Sequence, residues 1–124
     1  MLYLSKNPTQ EIELLIKKIQ AKEISAAVVA PVLIEVFKHL CVKNGKDFAI
    51  NAFNSFRARV PLEIIQLTDS LIIAAGNLKC RYRGTLSYID CIIIAFAIEQ
   101  KIVLHTTEKE LKNIPKLTVK EYGF

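Results

Sequence analysis

Three carboxylates, Glu35, Asp90 and Glu108, stand beside apolar segments that otherwise accept Ile, Val and Phe almost without interruption. Asp90 opens the long run of "LSYIDCIIIAFAIEQKIVLHTTEKEL", and Glu108 stands just past its second, shorter one. Glu35 follows the apolar stretch "SAAVVAPVLI". Carboxylates held close together repel and raise one another's pKa unless a cation lies between them. An all-oxygen set suits Mg²⁺ or Mn²⁺, which keeps several waters and takes a few carboxylates plus substrate phosphate oxygens. Such a metal activates water and stabilises charge developing at a phosphodiester.

Each acid also has a plainer role. Ser87-x-x-Asp90 matches a capping box, with aspartate where glutamate is usual. Glu35 suits an ordinary helix surface, and Glu108 a polar turn with Lys109 and Glu110. His39, one turn after Glu35, suits an exposed helical position, and His105 the end of a strand. The three cysteines, Cys41, Cys80 and Cys91, are odd in number and lack C-x-x-C spacing, so they read as small core residues rather than disulfides or a zinc site. No glycine-rich phosphate loop, dinucleotide fingerprint or nucleophile elbow is present, which leaves nucleotide-cofactor and acyl-transfer chemistry without support.

The elements that must position these groups follow from periodicity. Thr9 or Asn7 caps a helix from Glu11 to Gln20, where Ile12, Leu15, Ile16 and Ile19 recur at three and four. Ser25 to Ala30 reads as a buried strand, and Pro31 opens a helix through Lys43 that ends at Asn44-Gly45. A further helix spans Lys46 to Arg57, with Phe48, Ala52, Phe53 and Phe56 on one side. Glu63 to Leu67 is a strand, Thr68 or Asp69 caps a helix to Lys79, and Gly84 stops that segment. Ser87 to Gln100 is helical and apolar nearly all round, so it must be covered on more than one face. Lys101 to His105 is a strand, Glu108 to Leu111 one helical turn, and Leu117 to Val119 a last strand. Strands alternating with helices predict an α/β fold with a mainly parallel sheet and helices on both faces. Ligands bind such folds at the carboxyl ends of the strands, and all three acids fall there.

A length of 124 residues suits one domain, and a chain 52% hydrophobic and 23% charged has the balance of a folded protein. The apolar stretches fall short of the ~18 residues a membrane span needs. Without a signal peptide at Met1, a cytoplasmic location follows. The net charge of +5 suits a polyanionic partner, with Arg57 and Arg59, and Lys79, Arg81 and Arg83, forming two small basic clusters able to meet phosphates.

"VVAPVLIEVFKHL", "LSYIDCIIIAFAIEQKIVLHTTEKEL" and the strand–helix order between them resemble the PIN-domain family. Its members are metal-dependent nucleases that include the toxins of many prokaryotic toxin–antitoxin pairs. The likeness spans Ser25 to Val119 and implies a three-layer fold, with a mainly parallel sheet flanked by helices. In that family one acid follows the second strand, another opens the penultimate long helix, and a third follows a strand in a Thr-x-Asp setting. Glu35, Asp90 and Glu108 match those positions, Thr106-Thr107-Glu108 carrying glutamate in place of aspartate. Glu110 matches an additional acid of some members, and Thr106 the hydroxyl that helps hold the acidic cluster. The resemblance therefore implies a Mg²⁺- or Mn²⁺-dependent endoribonuclease, with RNA as substrate, a cognate antitoxin as partner and a homodimer as the working form.

One family feature is not seen. PIN domains begin with a strand ending in Asp-Thr, whose aspartate is the first metal ligand, whereas "MLYLSKNPTQEIELL" resembles the segment just after that motif. Two expectations compete: a start upstream of Met1 that restores the aspartate, or a domain that binds without cutting. Met1 to Leu4 could supply a remnant of the strand.

Overall fold

The isoleucines spaced for a helix do form one: α1 (Gln10–Gln20) buries Ile12, Ile16 and Ile19 along one stripe. The computed structural model describes residues 10–108 and 111–123. The expected caps Asn7 and Thr9, the candidate strand remnant Met1 to Leu4, and Glu110 lie outside the described residues. These fall into two units, 10–65 and 66–123, each built around its own pair of parallel strands.

In the first unit β1 (Ala27–Val29) pairs with β2 (Glu63–Ile65), Val28 lying opposite Ile64. Val29 is at once the end of β1 and the N-cap of α2 (Ala30–Asn44), with proline in the first turn, where its missing N–H costs nothing. Gly45 alone separates α2 from α3 (Lys46–Arg59), at φ +90°, where a side chain would be strained. On α3 the buried stripe runs through Ala49 and Phe56, with Ala52 and Phe53 half-buried. Phe48, expected on that stripe, is 51% exposed, because a 3.6-residue period places Ala49 rather than Phe48 in line with Phe53 and Phe56. Phe56 and Val60 pack with Ile16 and Ile19, and Leu15, Ala26 and Leu62 lie around them.

In the second unit α4 (Asp69–Arg81) starts at Thr68, whose hydroxyl accepts from the Leu71 N–H at 3.1 Å. Thr68→Ala leaves that amide without its cap and should cost about 1 kcal/mol, a fall of roughly 3–5 °C in the melting midpoint by calorimetry. α5 (Tyr88–Gln100) packs against α4 and buries Cys91, Ile94, Ala95 and Ala97, while Ile89, Ile92, Ile93, Phe96 and Ile98 are half-buried. The apolar helix is thus covered around much of its girth, as its sequence requires.

α5 ends in a Schellman turn. The Ile102 N–H reaches the Ala97 carbonyl, the Lys101 N–H reaches that of Ile98, and Lys101 takes a left-handed φ of 55°. The expected strand from Lys101 therefore begins only at Leu104. β3 (Leu104–Thr106) pairs in parallel with β4 (Val119–Glu121), slightly later than the expected last strand. Lys109 and Glu110 of the helical turn expected from Glu108 to Leu111 lie outside the described residues, and a 3₁₀ turn follows at Leu111–Asn113. Tyr122, just past β4, is buried, and its hydroxyl meets His105 Nδ1 at 2.8 Å. The one sheet expected is found, among the described residues, as two parallel pairs. A β-branched run marks a strand but says nothing about its neighbour.

Candidate functional site

Asp90 sits at the third position of α5 and closes a complete capping box. Its N–H donates to Ser87 Oγ at 3.1 Å, and its Oδ2 accepts the Ser87 N–H at 3.4 Å. The side chain is half-buried at a helix N-terminus, where the exposed amides favour a negative charge. Glu108 is held differently. Its N–H donates to Thr106 Oγ1 at 3.0 Å, so the threonine hydroxyl turns the chain as it leaves β3. The carboxylate of Glu108 is exposed.

The three-residue connection 101–103 returns the chain, and α5 and β3 pack together. Asp90 therefore stands in the first turn of α5 and Thr106 and Glu108 at and just past the end of β3, two elements of the second unit that pack together. Glu35 occupies the corresponding place in the first unit, in the second turn of α2 beyond the carboxyl end of β1, and is exposed. Glu110 is not among the described residues. Within them, no group of three or more His, Cys, Asp or Glu side chains is assembled to hold a metal ion.

Glu121 joins these acids although no sequence motif singled it out. It lies beside Thr106 in the β3–β4 register, on the same face of that pair, and its Oε1 is shielded from solvent with no hydrogen-bond partner among the described residues. A shielded carboxylate oxygen without a partner is costly, and a nearby cation would relieve the cost. The only sequence signal was an acid at the second inward position of a short strand, Val119-x-Glu121.

Of the basic residues, Arg57, Arg81 and Arg83 are exposed. Lys79 is committed internally: its Nζ donates to the carbonyls of Leu86 at 2.6 Å and Arg83 at 3.2 Å, and lies 4.8 Å from the centre of the Tyr88 ring. His39 is exposed on α2. The pKa of His105 is lowered, first by desolvation and then by the charge of Lys120. Burial raises the Cys91 thiol pKa, Lys79 opposing and Asp90 reinforcing the rise. Cys91 is a core residue as expected, whereas Cys41 is only half-buried and Cys80, also expected in the core, is exposed on α4; all three are free.

Short parallel strand pairs with carboxylates at their carboxyl ends define an α/β protein of the kind that binds ligands at strand ends. The family model for the PIN domain matches residues 3–117, and the chain belongs to that family. Its fold is similar to that of VapBC2 from Rickettsia felis bound to a fragment of promoter DNA, with a TM-score of 0.75 at 22% identity over 92% of this chain and 86% of that one. DNA-bound VapBC from Salmonella typhimurium gives a TM-score of 0.74 at 17% identity, covering 94% and 87% of the two chains. A toxin–antitoxin complex from Klebsiella pneumoniae gives 0.58 at 21%, covering 92% and 93%. No curated protein matches the chain significantly. Among the described residues, no helix is long and apolar enough to cross a membrane.

Proposed function

We propose that this chain is a metal-dependent endoribonuclease of the toxin type, in which Glu35, Asp90 and Glu108 hold Mg²⁺ or Mn²⁺. What supports this reading is Asp90 in the first turn of α5 and Glu108 just past β3, two elements that pack together, in a chain of the PIN family. An all-oxygen donor set fits a hard cation. Mg²⁺ in particular needs only one or two carboxylates when substrate phosphates and waters complete its shell, so a ready-made cage of three is not required. The shielded Glu121 carboxyl, beside Thr106 in the strand register, offers a further oxygen donor. When bound, the metal supplies an activated water and charge stabilisation at the phosphodiester. The chain's own part is to orient the carboxylates. Ser87 fixes Asp90 from the helix cap, and Thr106 fixes the turn that presents Glu108. Arg57, Arg81 and Arg83 attract the RNA backbone.

An antitoxin partner and a cytoplasmic setting belong to the same proposal. In the first unit an open apolar depression lined by Leu33, Ile34, Phe37 and Phe53 suits a protein partner, since Ile34 is 73% exposed. Ile72 and Ile73, exposed on α4, suit a second copy of the chain in a homodimer.

The second reading is a module that binds RNA without cutting it. The completeness of the Asp90 capping box favours it, because the cap alone accounts for an acid at that position. Labelled RNA separates the two. The nuclease reading predicts cleavage started by Mg²⁺ or Mn²⁺ and stopped by a chelator. The binding reading predicts intact RNA, retained in a salt-dependent and metal-independent way.

A further inference from the structure

We propose that Lys79 is the positioning residue for Asp90, acting through the single peptide unit that joins Leu86 to Ser87. The Lys79 ammonium donates to the carbonyl of that unit at 2.6 Å, and the N–H of the same unit donates to Asp90 Oδ2 at 3.4 Å. A cation and a carboxylate thus hold opposite ends of one planar amide. Because the peptide is planar, fixing its carbonyl fixes the direction of its N–H. Charge on the carbonyl side also polarises the N–H toward the carboxylate, as hydrogen bonds in series strengthen one another.

The remaining contacts of Lys79 hold this arrangement in place. Its second bond, to the Arg83 carbonyl at 3.2 Å, ties the C-terminal end of α4 to the turn beyond it. The ammonium also lies 4.8 Å from the centre of the Tyr88 ring, in the first turn of α5. Leu86 is itself buried, so the amide is anchored by its side chain as well. A lysine spent only on attracting RNA would extend into solvent. This one is half-buried and turned inward onto the segment that precedes Asp90.

The proposal rests on the metal reading above, and its test keeps the two apart. Mn²⁺ binding to the full chain is followed by electron paramagnetic resonance in wild type, Lys79→Met and Asp90→Asn, alongside RNA cleavage as a function of Mn²⁺. Lys79→Met keeps the apolar stem and removes the donor. It should raise the Mn²⁺ concentration for half-maximal binding and cleavage about ten-fold, the scale of a lost supporting hydrogen bond behind a metal ligand. The rate at saturating Mn²⁺ should stay within about two-fold. The amide resonance of Ser87 should move in the metal-free variant. A merely structural lysine would lower the melting midpoint and leave the half-saturating Mn²⁺ where it was, which overturns the proposal. Lys79→Gln, retaining one donor, serves if the methionine variant does not fold, and should give a smaller shift in the same direction. Mn²⁺ binding that Asp90→Asn leaves unchanged overturns the metal reading and this proposal together. Binding that Asp90→Asn weakens and Lys79→Met does not overturns the role of Lys79 alone.

Discussion

Asp90→Asn should lower metal-stimulated RNA cleavage by more than about 100-fold while leaving the fold in place. Removing a supporting hydrogen bond behind a metal ligand costs about 10- to 100-fold, and removing the charge of the ligand itself should cost more. The substitution is close to isosteric, and an asparagine carbonyl can still accept the Ser87 N–H that Asp90 accepts now. The hydroxyl of Ser87 still accepts the residue 90 N–H, so the start of α5 survives. The negative charge at the helix N-terminus is lost, about 0.3–1 kcal/mol of stability. A large kinetic effect beside a small thermal one therefore identifies chemistry rather than folding. Single-turnover rates with calorimetry on the same samples measure both. Unchanged cleavage would reduce Asp90 to a cap.

The second large effect is on stability. Phe56→Ala should destabilise the chain by about 3–5 kcal/mol, measured by urea unfolding, with the midpoint moving and the slope little changed. Phe56 is 1% exposed and packs with Ile16 and Ile19 of α1 and with Val60, the residue that caps the end of α3. Truncation removes most of a ring and leaves a cavity bounded by branched side chains, which collapse poorly. Against a total stability of about 5–15 kcal/mol for domains in general, this is a major fraction. A loss under about 1 kcal/mol would show that the site collapses around the smaller side chain. Phe53 is only half-buried, in edge-to-face contact with Phe37 at 6.1 Å, so Phe53→Ala should cost less.

Much of this architecture was legible because helical periodicity is a strong signal. Ile12, Ile16 and Ile19 announced α1, Pro31 announced the first turn of α2, and Ser87 with Asp90 announced the cap of α5. The failures have definite causes. Phe48 looked like core because aromatic residues usually are, yet it stands one residue off the buried stripe of α3. Lys101 gave no warning of a Schellman turn, since that position is most often glycine. Short strands were found within two or three residues of their places, but their division into two parallel pairs was not, because pairing depends on residues distant in sequence.

The places of the proposed acids along the elements were legible, and the contacts around them much less so. Glu35 lies in α2 beyond β1, Asp90 in the first turn of α5 and Glu108 just past β3, as the element pattern required. Lys79 was grouped with Arg81 and Arg83 by charge alone, and only its contacts with Leu86, Arg83 and Tyr88 separate it from them. Glu121 had no motif around it, and its significance lies in a shielded oxygen that sequence cannot show.

The most direct test of the metal-nuclease reading is cleavage of a synthetic RNA by the wild-type chain and by Glu35→Gln/Asp90→Asn/Glu108→Gln, purified in parallel so that contaminating nuclease appears in both. Wild type should cleave on addition of Mg²⁺ or Mn²⁺ and not with chelator, and the triple variant should not cleave under any condition. Equal cleavage by both proteins, or intact RNA with wild type at saturating metal, would contradict that reading.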